Sequence, residues 1–169
     1  MLLAGCGNGV GSNGGQQIDQ ASDAALQFLY GSRPDSSDIA SRSAGILVMP
    51  QITEAGLGVG GSYGRGALRV GDISVDYYSA AQASFGFQVG AQQYSHALFF
   101  MTEDALRDFR QSDGWVAGAN VKYAIDKQGD SLGTDTTQIN APVIAYVFAQ
   151  SGAIVGATLE GTKYTRIIP

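Results

Sequence analysis

The sequence predicts an α+β domain, mainly antiparallel β: a curved, barrel-like sheet or a sandwich of about seven or eight strands, with N-terminal helices and one helix inserted near residues 102–111. Three observations lead there. Period-two alternation runs from Gly56 to Val70 and again from Ser84 to Gln92, helical spacing is confined to short stretches, and the 24 glycines follow no collagen-like three-residue period, so they serve turns and crowded strands. At 169 residues the chain is one domain long, and it buries enough surface for a packed core.

The first helix is expected over Ile18–Tyr30, where Ile18, Ala21, Ala25, Phe28 and Leu29 share one stripe and Gly31 supplies the stop. A short second helix is expected over Asp35–Arg42, with Pro34 near its start. The apolar run Ala44–Met49 reads as a buried strand closed by Pro50. From Gly56 to Val70, Gly56, Gly58, Gly60, Gly64 and Gly66 fall on one face, which lets another backbone or a large aromatic lie flat against the strand. Val70-Gly71-Asp72-Ile73 reads as a hairpin turn and Ile73–Tyr77 as the returning strand. Phe85, Phe87, Val89 and Ala91 alternate with polar or small residues in a half-buried strand, and Tyr94–Met101 is another. Thr102 caps a third helix with Glu103 and Asp104 in its first turn, Arg110 in its last, and Ala105, Leu106 and Phe109 as its core stripe. A strand follows at Trp115–Ile125, then a polar loop from Asp126 to Asn140. Val143–Phe148 and Ala153–Leu159 form a hairpin around Gln150-Ser151-Gly152, and Lys163–Ile168 extends its second arm.

At the other end, Leu3-Ala4-Gly5-Cys6 resembles the lipobox of bacterial lipoproteins, where a cleavage site of small residues ends in the cysteine that takes a diacylglyceryl thioether. Only Met1-Leu2-Leu3 stand where a signal peptide carries its charged start and apolar stretch, so the sequence is expected to begin inside such a signal. A Gly/Ser/Asn run follows Cys6, as a tether requires. Residues 1–16 are therefore assigned to a lipobox remnant and tether, and residues 17–169 to a single domain. Cys6 is the one cysteine, so an intrachain disulfide is excluded. Each buried acyl methylene is worth ~0.8 kcal/mol, and two or three chains hold a protein stably. A residue other than Asp after Cys6 resembles the pattern that sorts lipoproteins to the outer membrane.

The net charge of −5 argues against a nucleic-acid partner and suits acidic lipid headgroups poorly. Gly56-Leu57-Gly58-Val59-Gly60-Gly61 matches the dinucleotide pattern GxGxxG. That pattern works at a strand-to-helix turn, and here the alternation continues as strand into Arg65 and Arg69. His96, the one histidine, shares strand parity with Tyr94 and Leu98 and reads as a packed residue; a hydrolase would need convergent polar groups around it. Asp126, Asp130 and Asp135 lack the spacing of a calcium loop and read as a solvated stretch. No catalytic, metal or cofactor constellation emerges, so a non-catalytic protein is expected. The aromatic residues of the central sheet suggest an apolar groove for an acyl chain, with Leu57, Val59, Tyr63, Phe85 and Phe87 as candidate lipid-contact residues.

The order of motifs resembles the SYLF domain, also called the Ysc84 domain. Gly45-Ile46-Leu47-Val48-Met49-Pro50 and Ala55-Gly56-Leu57-Gly58-Val59-Gly60-Gly61 are similar to its opening. Gly86-Phe87-Gln88-Val89-Gly90-Ala91-Gln92 with Phe99-Phe100-Met101-Thr102 is similar to its central block. Gly114-Trp115 and Ser151-Gly152 through Leu159-Glu160-Gly161-Thr162-Lys163 are similar to its end. The resemblance, closest to the bacterial lipoprotein branch, covers roughly residues 20–167. It implies lipid binding, toward phosphoinositides in eukaryotic members, and actin contact in fungal ones. Eukaryotic members carry a basic residue where this chain has Glu54, and their lipid-binding helix is partly basic. Here no Lys or Arg precedes Arg33, and Asp19 and Asp23 sit on the first helix, so recognition of anionic headgroups by charge does not carry over. The reading is a lipid-anchored envelope protein whose domain binds phospholipid or another lipid. The alternative is a structural or protein-interaction lipoprotein of the outer envelope, host-exposed in one form of that reading, whose only lipid contact is its acyl anchor.

Overall fold

A computed structural model describes residues 13–118, 121–125, 141–152, 159 and 161–169; side chains at 57–58, 84–89, 122–125 and 150–152 fall outside the described part. Cys6, the acidic stretch 126–140 and the expected strand from Ala153 also lie outside it. Elements follow in the order α1 (Gly14–Ser32), α2 (Pro34–Arg42), β1 (Gly45–Val70), β2 (Ile73–Phe100), α3 (Glu103–Gln111), β3 (Trp115–Val116), β4 (Val121–Ile125), β5 (Val143–Gly152) and β6 (Lys163–Ile167). The architecture is α+β and mainly antiparallel, as predicted. One sheet runs β3-β6-β2-β5-β4 with β1 also paired to β2, and only β4 and β5 lie parallel.

The main departure is continuity. Segments expected as separate strands fuse into two strands of 26 and 28 residues, joined at Gly71-Asp72. Gly71 has φ +62° and Asp72 is not left-handed, the pattern of a two-residue turn with glycine in its first central position. Pro50 does not end its strand. A bulge between Met49 and Ile52 absorbs its missing N–H, and Ser95 Oγ donates to the Pro50 carbonyl at 2.7 Å. Likewise β5 stays extended through Gln150-Ser151-Gly152, with Ser151 and Gly152 opposite Gln93 and Gln92 of β2, so the turn expected there is absent. The strand expected over Trp115–Ile125 is two: β3 pairs with β6, while β4 joins β5 elsewhere in the sheet.

The long hairpin is folded on itself, and its glycine face shows how. A Cβ on Gly56 would sit 2.8 Å from Gly60 Cα, so β1 bends sharply between them. Beyond the bend, a Cβ on Gly64 would strike the Gln51 carbonyl and one on Gly66 the Val48 carbonyl, while one on Gly45 would sit 3.3 Å from the Arg69 carbonyl. The first and last thirds of β1 therefore lie side by side, symmetric about the bend near 57–58. Only glycine permits that approach of backbone to backbone. β2 follows on the other side of the corner, where the partners of Leu57 and Val59 are Val89 and Phe85, three residues of β2 spanning what one residue spans in β1.

The concave face holds the main core. Leu47, Met49, Ile52 and Leu68 of β1 meet Tyr78, Tyr94, Leu98 and Phe100 of β2, Val143, Ala145 and Val147 of β5 and Tyr164 of β6. Leu106 and Phe109 of α3 close one end, with Trp115 against them. Rings of Tyr78, Phe100, Phe109, Trp115 and Tyr164 form a connected set with centroids 4.7–6.3 Å apart, each pair adding about 0.5–1.5 kcal/mol beyond its buried area. α3 starts as predicted: Thr102 Oγ1 accepts from the Ala105 amide at 3.1 Å. The convex face carries a second core under the N-terminal helices, where Ala25 and Leu29 pack on Val48, Ala97, Phe99, Ile144, Tyr146 and Phe148. α1 starts at Gly14, within the glycine-rich run read as tether. Its buried stripe is Ile18, Ser22, Ala25 and Leu29; Ala21 and Phe28, expected in that stripe, are exposed, and Phe28 lies flat over Phe148 with centroids 6.2 Å apart.

Candidate functional site

α1 lies over the seam where the two ends of β1 meet. On one side its Leu29 reaches Val48 and Phe99. On the other, the almost wholly buried Arg69 donates from Nη1 to Asp23 at 2.7 Å and from Nη2 to the Asp19 carbonyl at 3.0 Å. Ser74 Oγ donates to Asp19 Oδ1 at 2.6 Å, and the Tyr77 hydroxyl lies 3.1–3.2 Å from both carboxylate oxygens of Asp19. Asp19 and Asp23 are thus a clasp on the hairpin tip, not a solvated helix face. Burial, then the bond to Asp19, raises the Tyr77 pKa, so it remains a donor. Sequence reasoning placed both carboxylates on the helix but had no signal for Arg69, 46 residues downstream.

The clasp fixes the geometry of the tip. There Val70, Ile73 and Val75 are exposed, Ile73 at 68 %, beside the Gly71-Asp72 turn. These apolar side chains went unremarked in the sequence, where a hydrophobic–Gly–Asp–hydrophobic turn reads as hairpin chemistry alone. The proposed groove residues are distributed differently. Val59 and Tyr63 are exposed, at 68 % and 55 %, so they present a surface instead of lining an interior cavity. The side chains of Leu57, Phe85 and Phe87 fall outside the described residues. The glycine face expected to border an acyl groove is filled at Gly64 and Gly66 by the first third of β1.

The GxGxxG match lies wholly within β1 and leads into no helix, so it offers no helix N-terminus to a pyrophosphate. His96 is fully buried between the two halves of the folded hairpin, and its Nε2 lies 2.9 Å from Tyr164 Oη on β6. Burial lowers its pKa to about 3, so it is neutral at neutral pH. Its Nδ1 has no partner among the described residues. The bond ties opposite walls of the core, and Tyr94, its pKa pushed up to about 12 by burial, lies beside it with centroids 6.0 Å apart. Glu54 accepts from Gln92 Nε2 at 2.7 Å across the β1–β2 pair, using the carboxylate within the fold. Among the described residues no three His, Cys, Asp or Glu side chains converge as metal ligands, and no helix is long and apolar enough to cross a membrane.

The described residues form a curled hairpin domain with an aromatic core on its concave face and an apolar tip clasped by α1. A family model described as Ysc84, Las17-binding protein actin regulator, matches residues 81–166, from the middle of β2 to β6. That is just over half of the chain, and the chain belongs to this family. No curated protein matches it.

Proposed function

We propose that this is a non-catalytic bacterial envelope protein, anchored through acylated Cys6 in the outer membrane, whose SYLF domain touches bilayer lipid with its hairpin tip. The observation that carries the reading is the exposed Val70, Ile73 and Val75 around the hairpin turn that α1 crosses. Asp19 of α1 is 2.6 Å from Ser74, next to Ile73, and a Cβ on Gly15 would lie 3.1 Å from the Tyr77 hydroxyl. Eight residue steps separate Cys6 from Gly14, a reach of no more than about 28 Å. A tether of that reach lets the anchor and the apolar tip address the same membrane surface. The actin regulation in the family's description is said of other members and is not proposed for an envelope protein.

Vesicle flotation of the Cys6→Ser chain tests the domain apart from its anchor. It is expected to float with vesicles of bacterial phospholipid, and Val70→Glu with Ile73→Glu is expected to abolish flotation while the fold persists by circular dichroism. Absence of flotation by the Cys6→Ser chain sinks the lipid-contact half. Mass spectrometry of native protein from membranes tests the other half, and an unmodified Cys6 thiol overturns the anchor. A second reading, a structural or interaction lipoprotein held only by its acyl chains, draws support from the aromatic packing of the concave core. A chain that is acylated but does not float as Cys6→Ser fits that reading.

A further inference from the structure

Beside the hairpin tip a groove of about 400 Å³ opens between the end of α1, α2 and the start of β1. That is within the range of small-ligand sites. Tyr30, Ser37, Ser41, Ser43, Gly71 and Asp72 line it, with Ala44 and Ile46 among them. Its hydrogen-bonding character is one-sided. Ser37 Oγ donates to the Pro34 carbonyl at 2.8 Å, Ser41 Oγ to the Asp38 carbonyl at 2.7 Å and Ser43 Oγ to the Ala40 carbonyl at 2.8 Å. Each hydroxyl has one proton, and that proton is spent on the helix, so each oxygen has only lone pairs left to offer.

Charge points the same way. Arg69 also borders the groove, but its guanidinium is neutralised by Asp23 at 2.7 Å. Asp72 is exposed and forms none of the ion pairs found among the described residues. Burial, then the nearby charge of Asp72, raises the Tyr30 pKa, so its hydroxyl keeps its proton and is the donor of the set. A lining of acceptors around an unbalanced carboxylate repels anions and suits a cation that carries several N–H donors. Val70 and Ile73, both exposed, flank the Gly71-Asp72 turn that lines the groove.

We propose that this groove binds a primary ammonium group, presented by the ethanolamine headgroup of a bilayer phospholipid, while Val70 and Ile73 enter the apolar layer beneath it. This rests on the lipid-contact reading above and names the chemistry of that contact. The N–H donors of an ammonium find acceptors among the serine oxygens and the Asp72 carboxylate. A choline headgroup, which has no N–H donor and is held best by an aromatic cage, is rejected by the same lining.

Two arms test it on the Cys6→Ser chain. In the first, glycerophosphoethanolamine is titrated into isotopically labelled protein and followed by NMR. Saturable shifts of the amides of Ser41–Gly45 and Gly71–Ile73 are expected, with glycerophosphocholine and Asp72→Asn each weakening the affinity roughly tenfold, the effect of losing one charge-assisted hydrogen bond. No shifts there, equal affinity for choline, or an Asp72→Asn chain that binds as well as wild type overturns the proposal. In the second arm, flotation is compared on vesicles of phosphatidylcholine alone and with phosphatidylethanolamine or phosphatidylglycerol added. Enrichment on the ethanolamine vesicles supports the assignment. Equal flotation on all three keeps the lipid contact and removes the ammonium site. Preference for phosphatidylglycerol also removes it. Flotation on none, with a groove that still titrates with the soluble headgroup, keeps the site and removes the bilayer contact.

Discussion

Replacing Gly66 by alanine places a methyl group where the Val48 carbonyl and the Met49 sulfur already stand, with the Val48 carbonyl carbon 2.9 Å away. The methionine has rotatable bonds to retreat along; the carbonyl belongs to the neighbouring stretch of β1 and moves only if the seam opens. Overpacking of this kind costs about 1–3 kcal/mol, and a backbone obstacle puts Gly66 at the upper end. Loss of glycine freedom in the unfolded chain returns about 0.4–1 kcal/mol. The expected net destabilisation is about 2 kcal/mol, or about 4–8 °C in Tm for a chain of this length. Gly31→Ala is the matched control. Its Cβ meets nothing within 4 Å and lies in α1, so alanine there is expected to stabilise by up to about 0.8 kcal/mol. Urea unfolding followed through Trp115, the one tryptophan, reads both. A Gly66→Ala protein within about 0.5 kcal/mol of wild type refutes the folded-back hairpin, since that is the scatter of ordinary surface changes.

Two further predictions follow from the buried polar groups. Below its ordinary pKa near 6.5, His96 binds a proton in the unfolded chain but not in the folded one until about pH 3. Its contribution is therefore complete above pH 6.5 and is lost as pH falls through that window, by at most about 1.4 kcal/mol per pH unit. Stability curves of wild type and His96→Gln are expected to converge as pH falls from 6.5 toward 3; parallel curves remove the buried-neutral assignment. Arg69→Met keeps the aliphatic stem but breaks the clasp to Asp23 and the Asp19 carbonyl. A loss of about 2 kcal/mol is expected, with hydrogen exchange of α1 amides near Asp19–Asp23 accelerating more than that of β5; unchanged protection in α1 would show that the clasp holds nothing.

How far the sequence announced this molecule depends on the range of each interaction. The Gly71 turn, the Thr102 cap and the period-two glycines of β1 are local, and each reads correctly within a few residues. The glycine face was even assigned the right purpose, admitting another backbone, without revealing that the backbone was its own. Continuity failed where a local stop signal was overruled from across the sheet. Pro50 looks terminal until Ser95 and a bulge accommodate it, and Gln150-Ser151-Gly152 looks like a turn until β2 pairs with it. The site suffered most. Arg69 and Asp23 are ordinary surface residues by composition, Val70 and Ile73 ordinary turn flanks, and Asp72 an ordinary turn residue. Only folding the hairpin over α1 and α2 makes them neighbours.

The position of α1 across the seam has a mechanical side. A pull on the N-terminal end of the chain reaches Gly14 before any strand and loads the helix first. Force along α1 acts on the Asp19 and Asp23 bonds together, a shearing geometry, and passes through them into the paired strands behind. The clasp is thus a fuse in series with the sheet: its failure uncovers the seam at Gly64 and Gly66 while leaving the His96–Tyr164 bond and the aromatic core intact. Under tension the helix is the element expected to detach first, and a molecule stretched only that far relaxes by re-seating one helix, with no strand to re-register.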